Sequence, residues 1–105
     1  MNRTEFFGGI EETYKECLEI VKKKNLDYAG EEDQFKNFRS AFVVGLDYKK
    51  AILVRILDKL SRISNCIDKE VAVKDEQIQD TIKDAINYLA ILREAIKDDE
   101  HRTNI

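Results

Sequence analysis

Residues 76–97, EQIQDTIKDAINYLAILREAIK, decide the fold class. Within them Ile78, Ile82, Ala85, Leu89, Leu92 and Ile96 recur at three- and four-residue steps, the period of one helix face, and neither glycine nor proline interrupts the run. Asp75 stands ahead as an N-cap, and Glu76 places a carboxylate in the first turn, where the helix dipole is positive. Working outward, Leu53, Ile56, Leu57, Leu60, Ile63 and Ile67 define a second core face over residues 48–67, and residues 65–73 break the pattern. After Gly8 and Gly9, Ile10, Tyr14, Cys17, Leu18 and Val21 share a third face on a helix ending near Lys24 or Asn25. Between these, residues 26–48, LDYAGEEDQFKNFRSAFVVGLDY, hold two glycines and five aromatics. They read as a loop, a short helix over about residues 33–43 and a turn at Gly45, with aromatics that need burial. No strand-like alternation competes, so the expectation is an all-α bundle of three long helices and one short one, completed by oligomerisation, with residues 1–8 and 98–105 as frayed ends.

A chain of 105 residues makes one domain that buries roughly 65% of its unfolded surface. With 43% hydrophobic and 37% charged residues, four glycines and no proline, the composition suits a compact helical protein better than a disordered or membrane-spanning one. Eighteen basic residues against twenty-one acidic ones leave a net charge of −3, so no global positive field exists to hold duplex nucleic acid. Cys17 and Cys66 lie far apart without a CxxC pair, and residues 1–9, MNRTEFFGG, lack the apolar core of a signal peptide. The expected setting is therefore reducing and cytoplasmic, with two buried thiols rather than a structural zinc site, which needs four clustered ligands. His101, the only histidine, sits in the polar tail DDEHRTNI, which excludes a histidine-based triad elsewhere and any multi-histidine metal site.

The polar residues carry the functional content. At about 100° per residue, Asp80, Asp84, Asn87 and Ile91 fall within about 40° of one another, opposite the core stripe of the last helix. On the preceding long helix Arg55, Asp58, Arg62 and Asn65 share the non-core side, with Ala51 and Val54 near the same line. One account is a solvated surface supporting pairs such as Asp58 with Arg62. The other is that two helices bring Asp58, Asp80 and Asp84 together as oxygen ligands for Mg²⁺ or Mn²⁺, an ion that bridges phosphate oxygens, while Arg55, Lys59 and Arg62 neutralise a polyphosphate.

Several motifs recur in one order along most of the chain: Lys24, Asp27 and Tyr28; Phe35, Asn37 and Phe38; Arg55, Asp58, Lys59 and Arg62; then Asp75, Glu76, Asp80, Thr81, Asp84, Asn87 and Tyr88. This series resembles the phage-associated family called nucleotide modification associated domain 1. That family's arrangement is in turn similar to the MazG-like all-α nucleoside triphosphate pyrophosphatases, in which acidic residues on consecutive helices hold Mg²⁺ over a nucleotide triphosphate. Those enzymes use Glu-x-x-Glu on one helix and Glu-x-x-Asp on the next, where this chain has Arg55-x-x-Asp58 and Gln77-x-x-Asp80. The resemblance implies one metal ion held by Asp58, Glu76, Asp80 and Asp84, with Asp58, Asp80 and Asp84 as the catalytic carboxylates. It also implies a nucleotide site of Asp27, Tyr28, Asn37, Phe38, Arg55, Lys59, Arg62, Asn87 and Tyr88, since aromatic rings stack on bases and asparagine amides read their edges. Phe35 and Phe38, three residues apart, serve equally as core staples, and Tyr88 as a cap of the bundle.

Three expectations for function follow. The first is a small nucleotide-binding protein, possible as a Mg²⁺-dependent pyrophosphohydrolase or a nucleotide-modification accessory. The second is a non-catalytic protein that sequesters a nucleotide or cyclic-nucleotide signal to counter host defence. The third is a structural helical oligomer whose polar stripes meet other copies, as Ala51, Val54 and Ile91 among the charges would allow.

Overall fold

The computed structural model describes residues 1–28, 33–69 and 76–103, with the side chains of 1–24, 33–69 and 77–100. Four α-helices follow in order: α1 (Arg3–Tyr28), α2 (Lys36–Arg39), α3 (Tyr48–Ile67) and α4 (Glu76–Thr103), with a 3-10 turn at Ser40–Val44 after α2. No strand occurs among the described residues, and none of their helices is long and apolar enough to cross a membrane. Among the described residues the fold is all-α, with three long helices and one short.

α1 starts earlier than the glycine pair suggests. Asn2 Oδ1 accepts from the backbone N–H of Glu5 at 2.9 Å, and Asn2 Nδ2 donates to Glu5 Oε1 at 2.9 Å, so side chains satisfy the first turn from both sides. The helix then runs through Gly8 and Gly9, where an added Cβ would meet nothing within 4 Å. Each glycine costs a helix interior roughly 0.5–1 kcal/mol relative to alanine, and no steric term opposes the exchange. Gly8→Ala with Gly9→Ala is expected to raise helicity by circular dichroism at unchanged fold; a loss of helicity would show that this segment is not helical in solution.

The expected helix over residues 33–43 becomes one α turn followed by the 3-10 turn. Gly45 ends it with φ of 75°, the left-handed region that glycine adopts without strain, and its N–H donates to Phe42 O at 2.8 Å. Asp47 then caps α3 by accepting from the N–H of Lys49 at 2.8 Å. The expected N-cap of α4, Asp75, lies outside the described residues. At its far end α4 passes Lys97 because its last turns are anchored: Tyr48 Oη donates to Asp99 Oδ1 at 2.7 Å and to Ala95 O at 3.2 Å, and Lys49 pairs with Asp99.

α3 and α4 pack antiparallel, since Tyr48 meets Ala95 and Asp99 while Lys59 meets Asp84. Their contact is built on Tyr48, Ile52, Ile56 and Ala95, with Phe35, Phe38, Tyr88, Ile91 and Leu92 packed around it. The α2 turn closes one end: the Phe35 ring lies 5.5 Å from Tyr48, and the Arg39 guanidinium sits 4.4 Å above the Tyr48 ring while its Nε bonds Asp33 at 2.7 Å. Phe35 and Phe38 are thus core staples.

This contact bears out part of each expected core face and corrects the rest: Ile56 on α3 and Ile78 and Ala85 on α4 are buried as expected. On α3 the buried residues are Tyr48, Ile52 and Ile56, while Leu53, Leu57, Leu60 and Ile67 stay between 44% and 56% exposed. On α4 the stripe placed opposite the core supplies much of the contact, through Asp84, Tyr88, Ile91 and Ala95, whereas Ile82, Leu89 and Ile96 stay between 36% and 52% exposed. The physical reason is that each helix carries apolar residues over a wider arc than one neighbour can cover. The small Ala95, the Tyr48 hydroxyl bonds and the Lys59–Asp84 pair select which part of that arc faces inward.

Candidate functional site

α1 meets α4 around Cys17, which is buried, and whose Sγ approaches Lys83 O at 3.8 Å. Burial pushes the Cys17 thiol up from its ordinary value, so it is an inert packing residue; Cys66 is only half-buried, and both thiols are free. Beside this contact Lys83 pairs with Glu16 at 2.9 Å, and a shallow groove of about 300 Å³ is lined by Glu16, Glu19, Ile20, Lys23 and Lys83. One turn along, three helices converge on a single carboxylate. Asp84 Oδ1 lies 3.4 Å from Lys24 Nζ of α1, and Asp84 Oδ2 lies 3.2 Å from Lys59 Nζ of α3.

Asn87 sits one turn beyond Asp84 on α4. At 8% exposure it is the buried polar residue of the described chain, and its amide makes no side-chain hydrogen bond with other described residues. Tyr88 follows, its ring edge-on to Phe38 at a centroid distance of 6.3 Å.

The remaining expected site residues fall into distinct groups. At about 100° per residue, with the helices antiparallel, the Arg55, Asp58 and Arg62 line of α3 and the Asp80 and Asn87 line of α4 flank the contact on the same side, the side where α1 docks. Arg55, Asp58, Arg62 and Asp80 are exposed there. Asn37 is exposed at α2, where its backbone carbonyl accepts from Ser40 Oγ at 3.0 Å. The side chains of Asp27, Tyr28 and Glu76 lie outside the described residues.

Of the carboxylates expected around Mg²⁺ or Mn²⁺, Asp84 is engaged by lysines, Asp58 and Asp80 are exposed, and the side chain of Glu76 lies outside the described residues. Among the described residues no three of histidine, cysteine, aspartate and glutamate stand close enough to hold an ion, and both oxygens of Asp84 already face ammonium groups. A divalent cation at Asp84 would have to displace two lysines of like charge. Sequence reasoning did not single out Lys24 as an Asp84 partner, nor the Lys83–Glu16 pair. The one signal for Lys24 is its place in the run Lys22, Lys23 and Lys24, and the Lys83–Glu16 pair, between two helices, has none along the chain.

The chain matches no family model, no curated protein and no solved structure.

Proposed function

We propose that this chain binds a nucleotide through its polar side, holding the phosphates on cationic side chains rather than on a carboxylate-bound metal. The observation that carries this reading is the convergence of Lys24 and Lys59 on the one carboxylate of Asp84, which holds two ammonium groups around an anionic position. A phosphate oxygen can take that position with the same charge-assisted hydrogen bonds. Arg55 and Arg62, exposed on the same side of α3, add planar forks that match phosphate geometry. Lys24, Arg55, Lys59 and Arg62 thus set four cations against the three carboxylates of Asp58, Asp80 and Asp84, a local positive balance on a chain whose net charge is −3.

One turn beyond Asp84, the amide of Asn87 supplies a hydrogen-bonding edge of the kind a base requires. The ordered motifs that resemble the phage nucleotide-associated family support the same ligand class. With both oxygens of Asp84 facing ammonium groups, sequestration of an intact nucleotide is favoured over hydrolysis.

Asp84 distinguishes the two outcomes, because it changes sign between them. As a counter-ion it competes with phosphate for Lys24 and Lys59, so Asp84→Asn is expected to retain or tighten binding; as a metal ligand its loss abolishes binding and turnover. The measurement is a thermal-shift screen of nucleoside triphosphates and cyclic dinucleotides, in Mg²⁺ and in EDTA, with chromatography of any stabilising ligand. Expected are stabilisation that survives EDTA, a ligand recovered unchanged, and at least about tenfold weaker binding in Lys24→Ala with Lys59→Ala. A cleaved product whose appearance requires metal and Asp84 would restore the pyrophosphohydrolase reading. No stabilisation by any nucleotide would overturn both.

A further inference from the structure

The side of the α3–α4 hairpin opposite the charges is apolar and largely exposed, although Ile78 and Ala85 on its α4 stripe are buried. Leu53, Leu60 and Ile67 are spaced by seven residues on α3, with Leu57 between the first two, and Ile82, Leu89 and Ile96 repeat the same spacing on α4. All seven are at least 36% exposed. Rotation of about 100° per residue sets each stripe roughly 100° from its helix's buried contact line, and in the same sense on both helices. Because α3 and α4 are antiparallel, equal rotations point to the same side, so the two stripes form one continuous surface. Ser64 is the polar interruption within the α3 stripe, and Arg93 and Glu100 lie at the edge of the α4 stripe.

The exposed area is more than a monomer of this mass carries. A compact 12.2 kDa chain exposes about 6,100 Å² and has a radius of gyration near 13 Å. This one exposes 8502 Å², with a radius of gyration of 16.1 Å and extents of 47 × 30 × 26 Å. The difference, about 2,400 Å², exceeds the roughly 800 Å² that each partner buries in an interface of standard size. α1 adds to it, since residues 1–12 are all exposed, Phe6, Phe7 and Ile10 among them.

We infer that the apolar side of the α3–α4 hairpin is the seat of a second copy of this chain, the two hairpins facing each other across a two-fold axis. Two antiparallel helices bearing heptad-spaced apolar stripes on one side are half of a four-helix bundle, and an identical half supplies the matching stripes. The interface therefore lies opposite the polar stripes and clear of the side where α1 docks in each copy. Ile91, which suggested self-association through the polar stripe, is instead packed against the α3 contact.

The test is light scattering on the full chain at micromolar concentration. Expected is a mass of twice 12.2 kDa, or an even multiple of it, with a melting temperature that rises with chain concentration. Leu57→Lys with Leu89→Lys is expected to give a helical monomer, whereas Val54→Lys, on the other flank of α3, is expected to leave the assembly intact. Should the lysine pair fail to fold, Leu57→Ala with Leu89→Ala is the second variant, expected to stay helical and raise the dissociation constant at least tenfold, with Val54→Ala unchanged. A wild-type monomer, an odd-numbered assembly, or an assembly that both stripe variants leave unaltered would overturn the inference.

Discussion

Ile52→Ala is expected to be among the most damaging single substitutions in this protein, lowering stability by about 2–4 kcal/mol. Ile52 is fully buried at the centre of the α3–α4 contact, between Tyr48, Ile56 and Ala95, so truncation removes apolar area and leaves a cavity that two rigid helices cannot close. Against a typical stability of about 5–15 kcal/mol, that is a large fraction. Urea denaturation should show the midpoint falling with an unchanged slope. Leu57→Ala is the contrast: on the dissociated chain it should cost under about 1 kcal/mol, because Leu57 is 56% exposed. Equal losses at the two positions in dissociated chains would mean that α3 is rotated in solution relative to the packing described here.

Tyr48→Phe is expected to cost about 1–3 kcal/mol at neutral pH and progressively less in alkali. The hydroxyl donates to both Asp99 and the Ala95 carbonyl, tying the start of α3 to the last turns of α4. Burial first, then the bond to Asp99, pushes the Tyr48 hydroxyl from its ordinary 10 up to about 12. A group whose value rises on folding contributes stability that is complete below its unfolded value. That contribution is lost as pH climbs through the folded value, here between pH 10 and about 12. Wild type should therefore lose stability steeply across that window, while Tyr48→Phe loses less. Urea midpoints at pH 7 and near pH 12 check this; a gap between the two proteins that stays constant would exclude the hydroxyl as the titrating group.

How much was legible differs from element to element. The existence of α1, α3 and α4 follows from apolar residues at helical spacing, and the break at Gly45 from the need for a left-handed residue. The start of α1 was misplaced because Gly8 and Gly9 look like a boundary, while the Asn2–Glu5 cap that overrides them is a three-residue signal. The core face of α4 is legible only in part, through the buried Ile78 and Ala85. Ile82, Leu89 and Ile96 form its strongest apolar stripe, yet Asp84, Asn87 and Ala95 lie on the contact side because long-range bonds to α1 and α3 stand there. For the site, Lys59, Asp84, Asn87 and Tyr88 were legible as candidates, but the role of Asp84 was not. Nothing in the spacing of α4 shows that two lysines from other helices reach it.

Composition and periodicity by themselves determined an all-α chain of three long helices and one short, with polar stripes on α3 and α4, because helix formation and amphipathic patterning are local properties. Only the tertiary structure decided which arc of each helix is buried. It also decided that Asp84 faces Lys24 and Lys59 rather than other carboxylates, and that an apolar side is left over for a second copy. Those outcomes depend on the rotation of each helix about its own axis, which is set by the few side chains that meet across the bundle and is invisible to any repeat along the chain.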